Sequence, residues 1–211
     1  MKESNVPFPC GSLSLEGALH LPEGSGPFPA VAVCHPHPLF GGSMWNNVVI
    51  PICEALAREG ILAFRFNFRG VEGSEGVFGG GIEEQEDVKA ALSFLSSMEG
   101  VDPGRIGLAG YSFGAMVALP VALQDGRVQA LALISLLLAS SAPEPLTSYL
   151  KPKLLLCGSR DYFIPIPDFL RLVEGIPEPK QYEVISGADH FWWGYEGEAA
   201  RAVAAFFANT L

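Results

Sequence analysis

Residues 107–116 read GLAGYSFGAM and join two kinds of apolar segment. Their first half continues a short aliphatic run typical of a buried strand, and their second half opens an apolar run long enough for a helix. Gly110-Tyr111-Ser112-Phe113-Gly114 matches the pattern GxSxG. Between a strand and a helix, this pattern predicts a tight turn on which Ser112 stands exposed as a nucleophile. The glycines are expected there because a Cβ would crowd the close approach of strand and helix.

Strand-like and helix-like segments alternate along the whole chain. Six nearly continuous apolar runs predict parallel strands covered on both faces: residues 29–35, 61–68, 105–110, 128–134, 152–158 and 181–187. Apolar residues at helical spacing predict five helices: residues 46–60, 81–100, 113–126, 163–175 and 196–211. Residues 12–22 alternate in polarity, which predicts an antiparallel edge strand. We therefore expect an α/β fold, a doubly wound and mostly parallel sheet with helices on both faces, built as one domain from residues 1–211.

The composition narrows the classes of partner. The chain of 211 residues is 49% hydrophobic and 17% charged, which is enough to bury a large core. Its formal charge of −10 argues against a nucleic-acid or membrane partner, since both need a basic face. The four cysteines are widely spaced, and the N-terminus lacks the basic and apolar regions of a signal peptide. We expect a cytoplasmic protein with reduced thiols, without metal or cofactor, and either monomeric or homodimeric.

A serine hydroxyl becomes a nucleophile only when a neighbouring base takes its proton. Of the four histidines, only His190 follows Ser112 in the chain. It comes directly after the last predicted strand, and nucleophile and base would then share the carboxyl edge of the sheet. A single histidine in a loop is more often a solvated polar residue, but this position favours His190 as the base.

The base in turn needs a carboxylate that fixes its tautomer. Asp161 follows the predicted strand at residues 152–158, at the same edge of the sheet. The alternatives are Asp168, which is expected in a helix, and Asp189, which is adjacent to His190. Sequence neighbours rarely present their side chains to each other in the required geometry, so we favour Asp161. The order Ser112, Asp161, His190 is the order of the serine–acid–histidine triad that follows a GxSxG turn.

A tetrahedral intermediate also needs backbone N–H donors for its oxyanion. One is expected at Phe113, immediately after the nucleophile. The second is expected in the loop HPHPLFGG, residues 35–42, where Pro36 and Pro38 have no N–H. The free donors in this first turn are therefore the N–H groups of His37 and then Leu39, and we choose that of His37. Whether its side chain packs or contacts substrate is open at this stage. A metal site built on the histidines at positions 35 and 37 is not expected, because no third ligand is evident.

Five segments in this order resemble the α/β-hydrolase superfamily: VCHPHPLFGGSMWNNVV, FRFNFRGVEGSEG, GLAGYSFGAM, LLCGSRDYFIP and SGADHFWWG. The resemblance covers nearly the whole chain and is closest to small lidless members, such as dienelactone-hydrolase-like and short bacterial hydrolases. It implies Ser112 as nucleophile, Asp161 as acid and His190 as base. The pattern departs from the family at Asn67, where an acidic residue is common, and in having serine where dienelactone hydrolases resemble cysteine enzymes.

Relatives often insert a lid after the strand that matches residues 128–134. Only about eighteen residues, 135–152, are available for one here, so we expect no cap domain and an open site with residues 140–150 as its flexible rim. Substrate contacts are expected from the following residues: Leu39, Phe40, Tyr111 and Trp192. The aromatic residues 191–193 would either line the pocket or anchor the last helix to the core.

The function expected from these residues is hydrolysis of a small carboxylic ester through an acyl-enzyme intermediate. Two alternatives stay open. The first is a peptidase or a thioesterase with the same triad. The second is a non-catalytic binding protein that has kept the fold, since a fold does not guarantee a function.

Overall fold

The computed structural model describes residues 2–137 and 144–211. Eight strands form one sheet: β1 (Lys2–Cys10), β2 (Leu13–Leu21), β3 (Phe28–Cys34), β4 (Leu62–Phe66), β5 (Val101–Tyr111), β6 (Val128–Ile134), β7 (Lys153–Gly158) and β8 (Lys180–Ile185). Six helices accompany them: α1 (Val49–Arg58), α2 (Glu84–Ser97), α3 (Phe113–Gln124), α4 (Glu144–Thr147), α5 (Ile166–Gly175) and α6 (Glu196–Thr210). The predicted α/β fold is confirmed, with the helices displaced by up to about three residues at their ends.

The strand order is β1-β2-β4-β3-β5-β6-β7-β8. From β4 to β8 all neighbouring strands are parallel, whereas β1 and β2 run antiparallel. The carboxyl ends of the parallel strands therefore meet at one edge, where ligands of such sheets bind. The turn after β5, the loop after β7 and the loop after β8 all lie at this edge.

Each face of the sheet carries its own apolar layer. One layer joins the sheet to α2, α3 and α5, and the other joins it to α1 and α6. The parallel strands are buried almost throughout, which agrees with their continuous apolar sequences. The strand β8 is the exception, because it lies at the edge of the sheet and is mostly exposed.

For residues 12–22 the predicted antiparallel direction of the strand was right, but its predicted place at the edge of the sheet was wrong. The strand β2 is antiparallel, but β1 pairs with its outer side and forms the true edge. Pro7 and Pro9 within β1 argued against a strand, since proline donates no hydrogen bond to a neighbour. An edge strand tolerates this because one of its sides has no partner strand. The alternation of apolar residues at positions 6, 8 and 10 with polar residues and prolines was the sequence signal that could have predicted β1, and it matches the burial along the strand.

The chain is lidless, as predicted. The connection from β6 to β7 covers only residues 135–152, and α4 packs there against α3. Of the predicted flexible rim, residues 140–143 lie outside the described residues. Leu146 and Tyr149 are buried, whereas Leu150 is exposed. No helix in the described ranges has the length and apolar character that crossing a bilayer requires.

Candidate active site

The turn after β5 holds Ser112 in a backbone conformation that side chains rarely adopt. Its φ is +54° and its ψ is −115°. A Cβ on Gly114 would lie 2.4 Å from the carbonyl oxygen of Cys34, and one on Gly110 would lie 2.4 Å from that of Gly114. The glycines of the motif therefore leave room for the backbone of the β3 end and of the helix, as the sequence predicted. Strain of this kind persists where the surrounding structure enforces it, and it concentrates at functional sites.

The structure brings Ser112, His190 and Asp161 together at the carboxyl edge of the sheet. Ser112 Oγ lies 2.9 Å from His190 Nε2, and His190 Nδ1 lies 2.8 Å from Asp161 Oδ2. All three residues are buried, although Ser112 and His190 also line a cavity. The distances fit a hydroxyl that donates to the imidazole and an imidazole that donates to the carboxylate.

Asp161 is the carboxylate that contacts His190, whereas its two rivals are engaged elsewhere. Asp189 Oδ1 accepts the N–H groups of Phe191 and Trp192, at 2.9 and 3.0 Å. Asp168 lies on α5 and pairs with Arg171. The side chain of Asp161 is completely buried, and its second oxygen accepts the N–H of Phe163 at 3.0 Å. The loop after β7 thus presents one carboxylate to the imidazole.

Tyr111 fixes the backbone of the loop that carries His190. Its hydroxyl donates to the carbonyl oxygen of His190 over 2.6 Å, and its ring lines the cavity. Burial raises the pKa of Tyr111, and the negative charges of Asp161 and Asp189 raise it further. The hydroxyl therefore stays protonated and keeps donating. Tyr111 thus lines the cavity and anchors the base loop, while its contact with substrate stays a prediction.

His35 connects the loop after β3 to the loop after β4. Its Nδ1 donates to the carbonyl oxygen of Pro36 at 2.7 Å, and its Nε2 accepts the N–H of Phe68 at 3.1 Å. This pair of contacts requires the neutral ring, because a protonated imidazole has no acceptor. Burial lowers the pKa of His35 to about 4 from the ordinary 6.5. The neutral form therefore holds the loop in place at neutral pH.

This burial predicts a loss of stability in mild acid. The unfolded chain takes up a proton at His35 below pH 6.5, whereas the folded chain resists it until about pH 4. The contribution of His35 to the free energy of unfolding is therefore fully present above pH 6.5 and is lost as the pH falls from there towards 4. At pH 5 this loss is about 2 kcal/mol. Urea unfolding of wild type and His35→Gln at pH 7.5 and pH 5.0 measures it. Between pH 7.5 and pH 5.0 the free energy of unfolding is expected to fall by about 2 kcal/mol less in the variant than in wild type. An equal fall in both proteins would show that His35 does not cause this pH dependence.

The loop at residues 37–42 starts with a short 3₁₀ helix that His37 caps. His37 Nδ1 accepts the N–H of Leu39 at 3.2 Å. Its ring lies 4.7 Å from that of Phe113 and 4.8 Å from that of Phe40, measured between centroids. The side chain of His37 therefore caps and packs, and it also borders the cavity. Gly42 closes the turn, since a Cβ there would lie 2.1 Å from the carbonyl oxygen of Pro36.

The two residues whose N–H groups were predicted to bind an oxyanion, His37 and Phe113, flank the cavity beside Ser112. Phe113 begins α3, so its N–H has no carbonyl one turn earlier in the helix. Among the backbone hydrogen bonds of the described residues, the N–H of His37 donates to no carbonyl oxygen. Both residues line the cavity. The assignment of these two N–H groups as oxyanion donors stays a prediction.

A cavity of about 490 Å³ opens above Ser112. The described residues that line it are Pro36, His37, Phe40, Gly41, Gly42, Asn46, Asn47, Tyr111, Ser112, Phe113, Leu137, Phe163, His190, Phe191 and Trp193. Histidine is the only ionisable type among these apart from tyrosine. Phe40 is 88% exposed and Trp193 is 70% exposed, so the mouth of the cavity is aromatic and faces solvent.

Two of the predicted substrate contacts need correction. Leu39 is exposed but is not among the residues that line the cavity, because the 3₁₀ helix turns Phe40 towards the cavity and Leu39 elsewhere. Trp192 is completely buried in the layer between the sheet and α6. The alternatives left open for the aromatic residues 191–193 therefore divide: Phe191 and Trp193 line the cavity, and Trp192 anchors the core.

Sequence reasoning missed several residues at the site. Asn47 Nδ2 donates to the carbonyl oxygen of Phe191 and to Glu196 Oε1, at 3.1 and 3.2 Å, and so ties two walls of the cavity together. Phe163 lines the cavity two residues after Asp161, with its ring 4.8 Å from that of His190, measured between centroids. Both residues lie within segments that carry the family resemblance, residues 33–49 and 155–165, and this membership was the available signal. No three histidine, cysteine, aspartate or glutamate side chains in residues 2–137 and 144–211 are placed to bind a metal ion together.

The fold and the arrangement of Ser112, His190 and Asp161 together define an α/β serine hydrolase. The chain belongs to the X-Pro dipeptidyl-peptidase (S15) family, whose sequence model matches residues 12–144. An uncharacterized protein of Rickettsia prowazekii is 31% identical over 188 residues, which are 83% of this chain and 76% of that protein.

Two solved structures are similar over nearly their full length. An alpha-beta serine hydrolase homologue from Coxiella burnetii superposes with a TM-score of 0.87 and is 32% identical, with 97% of each chain covered. A serine hydrolase without lid from Xanthomonas campestris superposes with a TM-score of 0.85 and is 27% identical, with 100% of this chain and 96% of that one covered. The chain is therefore one of the small lidless α/β hydrolases that its sequence resembles.

Proposed function

We propose that this serine hydrolase cleaves carboxylic esters of neutral, largely apolar acids through an acyl-serine intermediate. The observation that carries the proposal is the cavity above Ser112, whose described lining holds aromatic, small and amide side chains and the two histidines, but no lysine, arginine, aspartate or glutamate. Such a cavity favours a neutral ligand, because a buried charge without a partner is costly.

The mechanism follows from the contacts of the triad. Ser112 Oγ attacks the acyl carbon while its proton passes to His190 Nε2, which lies 2.9 Å away. The protonated imidazole then donates that proton to the departing alkoxide, and the alcohol leaves. A water molecule gives a proton to the same nitrogen and attacks the acyl-serine. Collapse of the second tetrahedral intermediate releases the acid and returns the proton to Ser112.

Asp161 supports each of these steps without taking the proton itself. Its Oδ2 accepts the proton on His190 Nδ1 over 2.8 Å, which leaves Nε2 free to accept from Ser112. The negative charge of the carboxylate also stabilises the imidazolium that forms after each proton transfer. Because the side chain of Asp161 is completely buried, solvent does not screen this interaction.

The oxyanion of each tetrahedral intermediate would bind between the N–H groups of His37 and Phe113. His37 has a φ of −59°, which lies in the range that a proline ring fixes. We therefore expect His37→Pro to lower kcat roughly 10²–10³-fold by removing one donor. His37→Ala is the matched control, because it also loses the imidazole but keeps the N–H. Equal kcat values in these two variants would show that this N–H does not serve the oxyanion.

The name of the S15 family points to a different substrate, an X-Pro dipeptide at the start of a peptide. A dipeptidyl-peptidase has to hold the free α-ammonium group of its substrate, and a buried ammonium group needs a carboxylate partner. Among the described residues that line the cavity, none carries a carboxylate. The lining therefore supports an ester substrate over an X-Pro peptide.

A substrate panel on purified protein tests the proposal. It contains p-nitrophenyl esters of increasing acyl length, an acyl thioester of matched acyl group, and an X-Pro p-nitroanilide. We expect the esters to give the highest kcat/KM and the anilide to give none above background. A preference for the thioester or the anilide would replace the proposal with one of those activities. Failure of a fluorophosphonate probe to label folded wild type would leave only the binding-protein alternative.

A further inference from the structure

Ser135 and Trp192 form a buried hydrogen-bond chain that ends on the triad carboxylate. Ser135 Oγ lies 3.0 Å from Asp161 Oδ2, the same oxygen that His190 Nδ1 contacts at 2.8 Å. Trp192 Nε1 lies 3.1 Å from Ser135 Oγ. Ser135 and Trp192 are both completely buried, and neither lines the cavity.

The chemistry of the three groups determines the direction of each hydrogen bond. An indole N–H is only a donor, so the Ser135 oxygen accepts from Trp192. The hydroxyl proton of Ser135 is then available to point at Asp161 Oδ2. An ionised carboxylate is only an acceptor, and it takes this proton as well as the one from His190. Trp192 thus orients Ser135, and Ser135 supplies the second donor to the oxygen that faces the base.

The backbone holds both residues in conformations that side chains disfavour. Ser135 has a φ of +46° and Trp192 has a φ of +62°. The N–H of Ser135 donates to the carbonyl oxygen of Leu156 on β7, and the N–H of Trp192 donates to Asp189 Oδ1. A left-handed conformation is uncommon for serine and rarer still for a bulky residue, and it persists where the surroundings enforce it. Two such residues joined by one hydrogen bond indicate that the surrounding structure enforces this arrangement.

We propose that Ser135 and Trp192 are positioning residues for the triad. Together they hold Asp161 in the orientation in which it accepts from His190, and the Ser135 hydroxyl also stabilises the negative charge of the carboxylate. The Ser135 hydroxyl accepts part of that charge through its hydrogen bond to Oδ2, so less of it falls on the bond to the imidazole. The proposal rests on the triad described above, but it does not depend on which acyl compound is the substrate.

A substitution of Ser135 leaves the other titratable groups around His190 unchanged. Tyr111 donates to the carbonyl oxygen of His190, and Asp189 accepts the N–H groups of the two residues that follow it. The elements packed on the ring contribute Phe163 and Phe191, which are apolar. A change in pH dependence after substitution of Ser135 is therefore attributable to Asp161 and His190.

The first variant is Ser135→Ala, studied in the full-length protein by the pH profile of ester hydrolysis. Without the hydroxyl, the charge of Asp161 concentrates on the bond to His190 and stabilises the imidazolium. We expect the acid limb of kcat/KM to move to higher pH by roughly half a unit to one unit. We expect kcat at the optimum to fall roughly tenfold with KM unchanged, since a hydrogen bond to a charged group is lost away from the substrate.

The second variant, Trp192→Phe, keeps an aromatic ring and removes the N–H that orients Ser135. It is expected to move the acid limb in the same direction by a smaller amount. The double variant is expected to match Ser135→Ala, because both substitutions act through one hydroxyl. Ser74→Ala is the matched control: Ser74 is also buried and donates and accepts a hydrogen bond, but in the loop after β4.

The downfield proton resonance of His190 Nδ1–H provides a readout that needs no substrate. It is expected to shift in Ser135→Ala and to stay in place in Ser74→Ala, even if no ester in the panel is cleaved. A wild-type resonance and acid limb in Ser135→Ala would overturn the proposal. An equal shift in Ser74→Ala, or strictly additive losses in the double variant, would also overturn it. If Ser135→Ala does not fold, the same two readouts on Trp192→Phe decide.

Discussion

Replacing Ser112 by alanine is expected to lower kcat for ester hydrolysis by roughly 10⁵–10⁶-fold. The attacking oxygen would be gone, while the imidazole and the oxyanion donors would stay in place. Only binding and the oxyanion donors could then accelerate the attack of water. The measurement is kcat with the best p-nitrophenyl ester of the panel, together with labelling by a fluorophosphonate probe, which is expected to disappear in the variant.

The control for this variant is the free energy of unfolding from urea titration. Ser112 is largely buried on a strained turn, and alanine carries the same strain, so the stability of the variant is expected to stay close to that of wild type. A well-folded Ser112→Ala variant that keeps more than about one hundredth of the activity would point to a different nucleophile.

Replacing Asp161 by asparagine is expected to lower kcat roughly 10⁴-fold. The amide keeps the size of the carboxylate but can turn its NH₂ group towards His190 Nδ1. The imidazole would then carry its proton on Nε2, where it can no longer accept from Ser112. The charge that stabilises the imidazolium would also be lost. The measurement is the pH profile of kcat for the variant beside wild type.

Asp189→Asn is the matched control for this prediction. Asp189 Oδ1 accepts two backbone N–H groups, and the amide oxygen of asparagine can accept them equally. We expect a loss of less than about tenfold, because the turn that carries Trp192 is kept and His190 is not contacted. Losses of equal size in Asp161→Asn and Asp189→Asn would show that Asp161 is not the acid of the triad.

The sequence alone determined the fold class and the chemistry of the site. Continuous apolar runs alternate with segments of helical spacing, and this alternation suffices to predict a parallel sheet with helices on both faces. Strands and helices can be told apart because the spacing of their apolar residues and the extent of their burial differ. The spacing of Gly110, Ser112 and Gly114 identified the turn. Asp161 and His190 could be placed at the same edge because the loops after parallel strands converge there.

Sequence reasoning failed where a residue's role depends on contacts that are distant in the chain. The prolines of β1 hid an edge strand, since their effect depends on whether a neighbouring strand is present. Leu39 and Phe40 are adjacent, yet only the second lines the cavity, because one step in a 3₁₀ helix changes the direction of the side chain.

Trp192 shows what only the tertiary structure decided. From its position beside His190 it was expected to contact substrate, but a left-handed backbone turns it into the core, where it meets Ser135 from the end of β6. Ser135 carries no motif and is 26 residues from Asp161 in sequence. Local pattern specifies elements and turns, because these arise from neighbouring residues. Asp161 follows β7, and its partners Ser135 and His190 follow β6 and β8, so only the packed sheet brings these three strand ends together.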